Sequence, residues 1–504
     1  MSRRPGNWAR TLCAAAVLGG ALLGPQASAG AAPEPLGKTV EPPSSDFGTQ
    51  EGRDRLRDAQ DKAGKPAPLV TTEKKVECGN TWYLKNKVVP RDEAVAQKVL
   101  DLPAAWQANP GFGNRGAGQV IAVIDTGVAP NPRLDVAPGG DFVSGSDGTE
   151  DCDGHGTAVA GIIAAKPSPD DGLVGVAPDA QILAIRQFSD HYQAKDQGGG
   201  DKPPGTMSTQ GYGPSLTLAA AVVRAVDMGA KTINISEAAC TAADSPTGDE
   251  ALGAAVHYAY DRGVVVVVAA GNLDSTSGCG TQNGTYSNNE TGWKSVKTIS
   301  SPAWFDKYTL SVGWIAPDGS PSGNTLYGPW VGVAAIGQDL ASLDSKSPGA
   351  LINATGVDNN GKVIGLNGTS FAAPQVAGLA ALLRAKYPDW SARQIMNQII
   401  LTAHQPGTGR DDRVGAGMID PVAALTARFP DDVLNSEDPV LPIHVGADKP
   451  QAFPTPEKPI GPPRLPRLVA TVGTIVCLSA LGIGLAVSIP FRRRRRDDEL
   501  PDLD

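Results

Sequence analysis

Three short segments constrain this chain more than anything else in it: AVIDTGV at 122–128, DGHGTAVAG at 153–161 and GLNGTSFAAPQVAG at 365–378. Each sets one polar side chain among glycines and small residues, where an apolar element stops or starts. The apolar run from Gln119 to Ile124 reads as a buried strand of a parallel sheet, and Asp125 falls at its end. In open α/β sheets the functional crevice lies outside the carboxyl ends of the strands. Gly127 then lets the chain turn without a Cβ penalty. His155 stands between two glycines ahead of a helix-like run, Thr157 to Ala165. Its ordinary pKa of about 6.5 suits it to exchange protons near neutrality. Ser370 opens a helix behind Gly368 and Thr369, with Pro374 in the first turn, where a missing N–H costs little. A hydroxyl there lies at the positive end of the helix dipole, beside N–H groups able to receive an oxyanion.

A fourth segment belongs with these. Gly263 to Val268 reads as a strand running into Ala269-Ala270-Gly271-Asn272, which puts the Asn272 amide at another strand end. Each segment alone has a plain structural reading: Asp125 as a turn cap, Ser370 or Thr369 as a helix N-cap, Gly271-Asn272 as a turn. None of these accounts for all four together. In the order Asp125, His155, Ser370, the motifs IDTG, GHGT, AAGN and GTSFAAP resemble those of the subtilisin-type serine peptidases across roughly residues 90–430. That resemblance implies an α/β fold with a subtilisin-like parallel sheet and helices on both faces. It also implies Ser370 as nucleophile, His155 as general base and then acid, and Asp125 as the group that orients His155. The Ser370 backbone N–H and the Asn272 side chain would make the oxyanion hole. The related sedolisins use acidic groups in place of the His and the Asn, so His155 and Asn272 argue against that branch.

By the same resemblance Ser236-Glu237-Ala238 and Ala269-Ala270-Gly271 border the substrate. Glu237 departs from the leucine common in subtilisins; its carboxylate favours a basic or polar substrate side chain or points to solvent. Gln375 replaces a His often found after the helix proline, with no catalytic consequence assigned. His191, His257, His404 and His444 lack a comparable setting and read as structural or surface residues. Short strands at Gln181 to Phe188 and Thr232 to Ser236, with helices at Leu216 to Ala230 and Ala251 to Arg262, complete an alternating α/β pattern. The stretch Asp190 to Ser215, rich in Gly and Pro, reads as a surface loop.

The ends of the chain place this chemistry. Arg3, Arg4 and Arg10 precede an apolar stretch and Ala27-Ser28-Ala29, so residues 1–29 read as a secretory signal peptide. Residues 30–75 are rich in Pro, Gly and charge with Phe47 the only aromatic, so residues 30–89 are expected to form an extended arm around the peptidase domain, 90–430. Residues 431–467 form a Pro-rich linker. Residues 468–489 are uncharged over about 33 Å of helix and are expected to cross the lipid bilayer once. Arg492 to Arg496 then place the tail, 490–504, in the cytoplasm and the peptidase domain outside it.

Of six cysteines, Cys13 leaves with the signal and Cys477 lies in the span. If the strands ending at Ser236 and near Asn272 are neighbours, Cys240 pairs with Cys279, and Cys78 with Cys152 follows by elimination. No Cys or His spacing suggests a zinc site, and no metal or cofactor is expected; Asp151 and Asp153 read as acids solvating a loop. The net charge of −9 identifies no partner, and the juxtamembrane arginines read as a stop-transfer signal rather than a nucleic-acid site.

Signal, arm, peptidase domain, tether, span and tail together resemble the mycosins, the membrane-anchored peptidases of type VII secretion. This implies protein or peptide substrates and association with the type VII secretion membrane complex. The residues leave two alternatives open: a structural component of that complex whose proteolysis is dispensable, or a housekeeping envelope subtilase.

Overall fold

The computed structural model describes residues 40, 49–79, 82–85, 91–108, 115–195, 211–273, 279–285, 292–358, 360–407, 409–437 and 472–487. The expected signal peptide, most of the expected linker, the expected cytoplasmic tail, His444 and the middle of the 190–215 loop lie outside these residues.

Seven strands form the main sheet, and every pairing in it is parallel. They are β1 (Val120–Asp125), β2 (Asp135–Asp141), β3 (Gln181–Arg186), β4 (Thr232–Ile235), β5 (Val265–Ala269), β6 (Thr309–Ile315) and β7 (Val331–Ile336). Their order across the sheet is β7-β6-β5-β4-β1-β3-β2. The chain therefore builds one side of β1 first, through β2 and β3, and then crosses to the other through β4. Such a switch point leaves an open crevice at the carboxyl ends of the two strands flanking it.

Alternation along the strands feeds two cores. Ile121 and Val123 of β1 pack on one face with the helices His155–Ala164 and Thr369–Lys386. Ala122 and Ile124 pack on the other with Ser215–Asp227 and Glu250–Asp261. A strand buried on both faces needs a continuous apolar run, which is what Val120 to Ile124 supplies. The fold class expected from the sequence is thus the one observed, a parallel sheet with helices on both faces.

The arm departs from expectation. Gln50–Ala63 is a helix of 14 residues, not extended chain, and Thr49 Oγ1 caps it by accepting from Gly52 N at 3.0 Å. Leu56, Ala59 and Ala63 form a narrow stripe at helical spacing, buried against the core of Ser215–Asp227 and Glu250–Asp261. One leucine and two alanines cannot hold a domain core, but they suffice for one helix face docked on a surface already built. Arg224 Nη1 donates to Ala63 O at 2.9 Å and closes the helix end. Beyond it, Thr72–Lys74 pairs antiparallel with Tyr192–Ala194, so the start of the 190–215 loop is strand as well.

Two disulfides are formed, Cys78–Cys152 and Cys240–Cys279. The first closes a separation of 74 residues and ties the arm to the loop before His155. Replacing both its cysteines with serine is expected to lower stability by about 2–4 kcal/mol, through the entropy regained by the unfolded chain. Urea unfolding measures this; an unchanged midpoint would contradict it.

Residues 442–504 form a separate unit. Its described helix, 472–487, is uncharged. Among the described residues no helix is long and apolar enough to cross a membrane; residues 468–471 and 488–489 of the expected span lie outside them.

Candidate active site

Asp125 ends β1 and is fully buried. Its Oδ1 accepts from Thr126 N at 2.8 Å and lies 2.7 Å from His155 Nδ1. The close approach depends on Gly156, where a Cβ would stand 2.0 Å from Gly127 O and 3.1 Å from Asp125 Cβ. Gly154, at φ +86°, turns the chain into the helix that His155 begins.

Asp151 organises this turn. Its carboxylate accepts from Thr126 Oγ1 at 2.8 Å, Gly154 N at 2.7 Å, Thr157 N at 2.8 Å and Thr157 Oγ1 at 2.6 Å. Burial pushes its pKa up to about 6 against the downward pull of those donors. This corrects the reading of Asp151 as a loop-solvating acid. It accepts from Gly154 N and Thr157 N at the start of the His155 helix, whose N-cap residue is Gly154. Asp153 is likewise engaged, accepting from Ser189 Oγ at 2.6 Å and Asp190 N at 2.8 Å.

Ser370 is the second residue of Thr369–Lys386, whose N-cap is Gly368. Ser236 Oγ donates to Ser370 O at 2.8 Å and accepts from Asn234 Nδ2 at 2.8 Å, locking the helix start to the end of β4. Asn272 Oδ1 accepts from Thr369 N at 3.0 Å. That bond fixes the amide so that its N–H groups face away from Thr369 N. A Cβ on Gly368 would lie 3.2 Å from Asn272 Nδ2 and 3.5 Å from Ser370 Oγ, so the bare glycine leaves these two groups flanking one open point.

Phe371 connects the halves, its ring centroid 5.3 Å from that of His155. Trp82, from the arm, packs edge-on to both rings at 6.3 and 6.2 Å. It is held there because Tyr83 pairs with Ala354, donating to its O at 3.0 Å and accepting from its N at 3.1 Å. Nothing local in the sequence joins Trp82 to His155.

Glu237 does not turn out to solvent. Its Oε1 lies 3.4 Å from His155 Nδ1 with the side chain 20% exposed. Burial, joined by Asp125, Asp190 and Asp153, pushes its pKa up to about 8 although His155 pulls the other way. Burial lowers the His155 imidazole, but Asp125, Glu237 and Asp151 outweigh it and raise it to about 10. Ala238 is half-buried beside it. Ala269 and Ala270 face opposite cores and Gly271 O accepts from Leu326 N at 2.8 Å, so this stretch offers a ligand main chain only. Gln375 Nε2 donates to Phe371 O at 3.0 Å and to Ile336 O, a purely internal role. His191 Nδ1 meets Glu77 O at 2.9 Å and its Nε2 lies 3.9 Å from Asp153 Oδ1, while His257 stacks on Tyr308.

The Subtilase family profile matches residues 116–417. Mycosin-3 of Mycobacterium tuberculosis (strain ATCC 25618 / H37Rv) is 38% identical over 453 residues, covering 88% of this chain and 93% of that protein. The chain belongs to the mycosins, within the subtilase family. Mycosin structures agree with this. The crystal structure of MycP1 from Mycobacterium smegmatis superposes with a TM-score of 0.69 at 41% identity, covering 78% of this chain and 96% of that one. A chain of the intact ESX-5 inner membrane complex gives 0.68 at 35% identity, covering 89% and 100%. As a mycosin, this protein is a subtilisin-like serine protease. Here Asp151→Ala is expected to cost about 2–4 kcal/mol, because it leaves buried N–H groups unpaired. The loosened His155 turn should also lower kcat about 100-fold. Thermal unfolding and peptide hydrolysis on the same preparation check both.

Proposed function

We propose that this mycosin is a membrane-anchored serine endopeptidase acting outside the cytoplasm, on exported proteins, at a type VII secretion membrane complex. The observation that carries the chemistry is the 2.7 Å contact of Asp125 with His155, beside the end of β4 that Ser236 ties to Ser370. In the proposed reaction His155 Nε2 takes the Ser370 proton as Oγ attacks a peptide carbonyl. Asp125 holds the imidazole with Nδ1–H toward itself and stabilises the imidazolium that forms. The Ser370 N–H and the Asn272 Nδ2 donate to the developing oxyanion. His155 then returns its proton to the leaving amine, and water, activated in the same way, hydrolyses the acyl-enzyme. The main chain of Ser236 to Ala238 and of Ala269 to Gly271 flanks the bound peptide.

The similarity to a chain of the ESX-5 inner membrane complex supports a secretion complex as partner. Leu468 to Ile489, followed by five arginines, supports a single span with the C-terminus in the cytoplasm. Cleavage of a peptide library by the detergent-solubilised full chain, with Ser370→Ala as control, tests the activity. Equal cleavage by the two would overturn the assignment of Ser370. Secretion in cells carrying Ser370→Ala, compared with cells lacking the gene, tests the partner. Failure in both supports proteolysis at the complex, and failure only in the deletion supports a structural role.

A further inference from the structure

We propose that Glu237 is a positioning residue that acts through His155: its carboxylate shares the Nδ1 side of the imidazole with Asp125, favours the protonated ring, and so sets how often Nε2 is free to take the Ser370 proton. This rests on the triad reading above.

Nδ1 carries one proton. Asp125 Oδ1, at 2.7 Å and with a fully buried side chain, receives it, while Glu237 Oε1 lies at 3.4 Å. The Glu237 contact is therefore an attraction between charges rather than a second hydrogen bond, and it acts fully only on the imidazolium. Geometry keeps the two groups together. Ser236 is fixed through Ser370 O and Asn234 Nδ2. On the other side Ala239 begins a strand paired with Thr298–Ser301, and Cys240 within it is bonded to Cys279. Glu237 thus sits between two anchored neighbours and is largely shielded from solvent.

The charged groups acting most strongly on the pair are acids. His155 is faced by Asp125, Glu237 and Asp151, and Glu237 by Asp125, Asp190 and Asp153 in addition to His155. His191 stands behind Asp153, its Nε2 3.9 Å from Asp153 Oδ1. A second proton is therefore held either on Glu237 or on His155 Nε2, exchanging through solvent. Only the first arrangement leaves Nε2 able to accept from Ser370. A neutral side chain at 237 removes the preference for the imidazolium, which lowers the pH at which the base becomes free.

The test is the rate at which a fluorophosphonate probe labels the full chain in detergent, measured against pH. In that reaction Ser370 Oγ bonds to phosphorus, fluoride leaves and the Oγ proton passes to His155. Glu237→Gln is expected to move the acid limb of the profile down by about one pH unit, giving roughly tenfold faster labelling on that limb. Glu237→Asp, which keeps a charge on a shorter arm, should lie between the two and guards against a folding defect in the first variant. A limb that stays in place, moves up, or falls uniformly at every pH would overturn the proposal. Labelling absent from the wild-type chain, or retained in Ser370→Ala, would instead overturn the triad reading.

Discussion

Ser370→Ala is expected to lower kcat for peptide hydrolysis by about 10⁴-fold or more while KM stays within a few-fold. The hydroxyl would be the only group to form a bond to substrate, and its loss leaves binding and oxyanion donors behind. The side chain is small and 9% exposed, and Ser370 enters the local network through its carbonyl, which accepts from Ser236. Alanine keeps that carbonyl. The fold should therefore be unchanged, and the variant should unfold at the wild-type temperature. Steady-state kinetics on one peptide, read beside a melting curve, separates lost chemistry from lost structure.

Asp125→Asn is expected to lower kcat by about 10⁴-fold, with little effect on KM. The Asp125 Oδ1 that meets His155 also accepts from Thr126 N at 2.8 Å. An asparagine would keep its carbonyl oxygen on that N–H and offer an amide N–H to Nδ1. The imidazole would then turn over to the tautomer protonated at Nε2, which cannot take a proton from Ser370. The imidazolium formed in the reaction would also lose its buried counter-charge. A residual rate within tenfold of wild type would mean that His155 is oriented by something other than Asp125. Glu237, whose Oε1 lies 3.4 Å from Nδ1, is then the first candidate to test.

Sequence pattern reached the fold and the family because the informative residues are local. Apolar runs buried on both sheet faces, a polar residue at each strand end and glycines at turns all lie within a few positions of one another, as in Val120 to Gly127. What escaped the sequence lies elsewhere in the chain or depends on a partner surface. The arm helix has only Leu56, Ala59 and Ala63 to bury, too few to mark a helix until the surface receiving them is known. Trp82 meets His155 from 73 positions away, through a bridge to Ala354 that no periodicity announces. Glu237 stands out as a departure from the family pattern, but its direction depends on how Ser236 and Cys240 are anchored. Asp151 lies three residues before the N-cap Gly154, and its bonds to Gly154 N and Thr157 depend on how the intervening turn folds.

Asp125, His155 and Ser370 are expected to act as one catalytic unit. Intact-mass and peptide mapping of the full chain after fluorophosphonate treatment tests it most directly. A single adduct is expected, on Ser370, lost in Ser370→Ala and strongly slowed in Asp125→Asn. An unmodified wild-type chain, or an adduct on another residue, would contradict it.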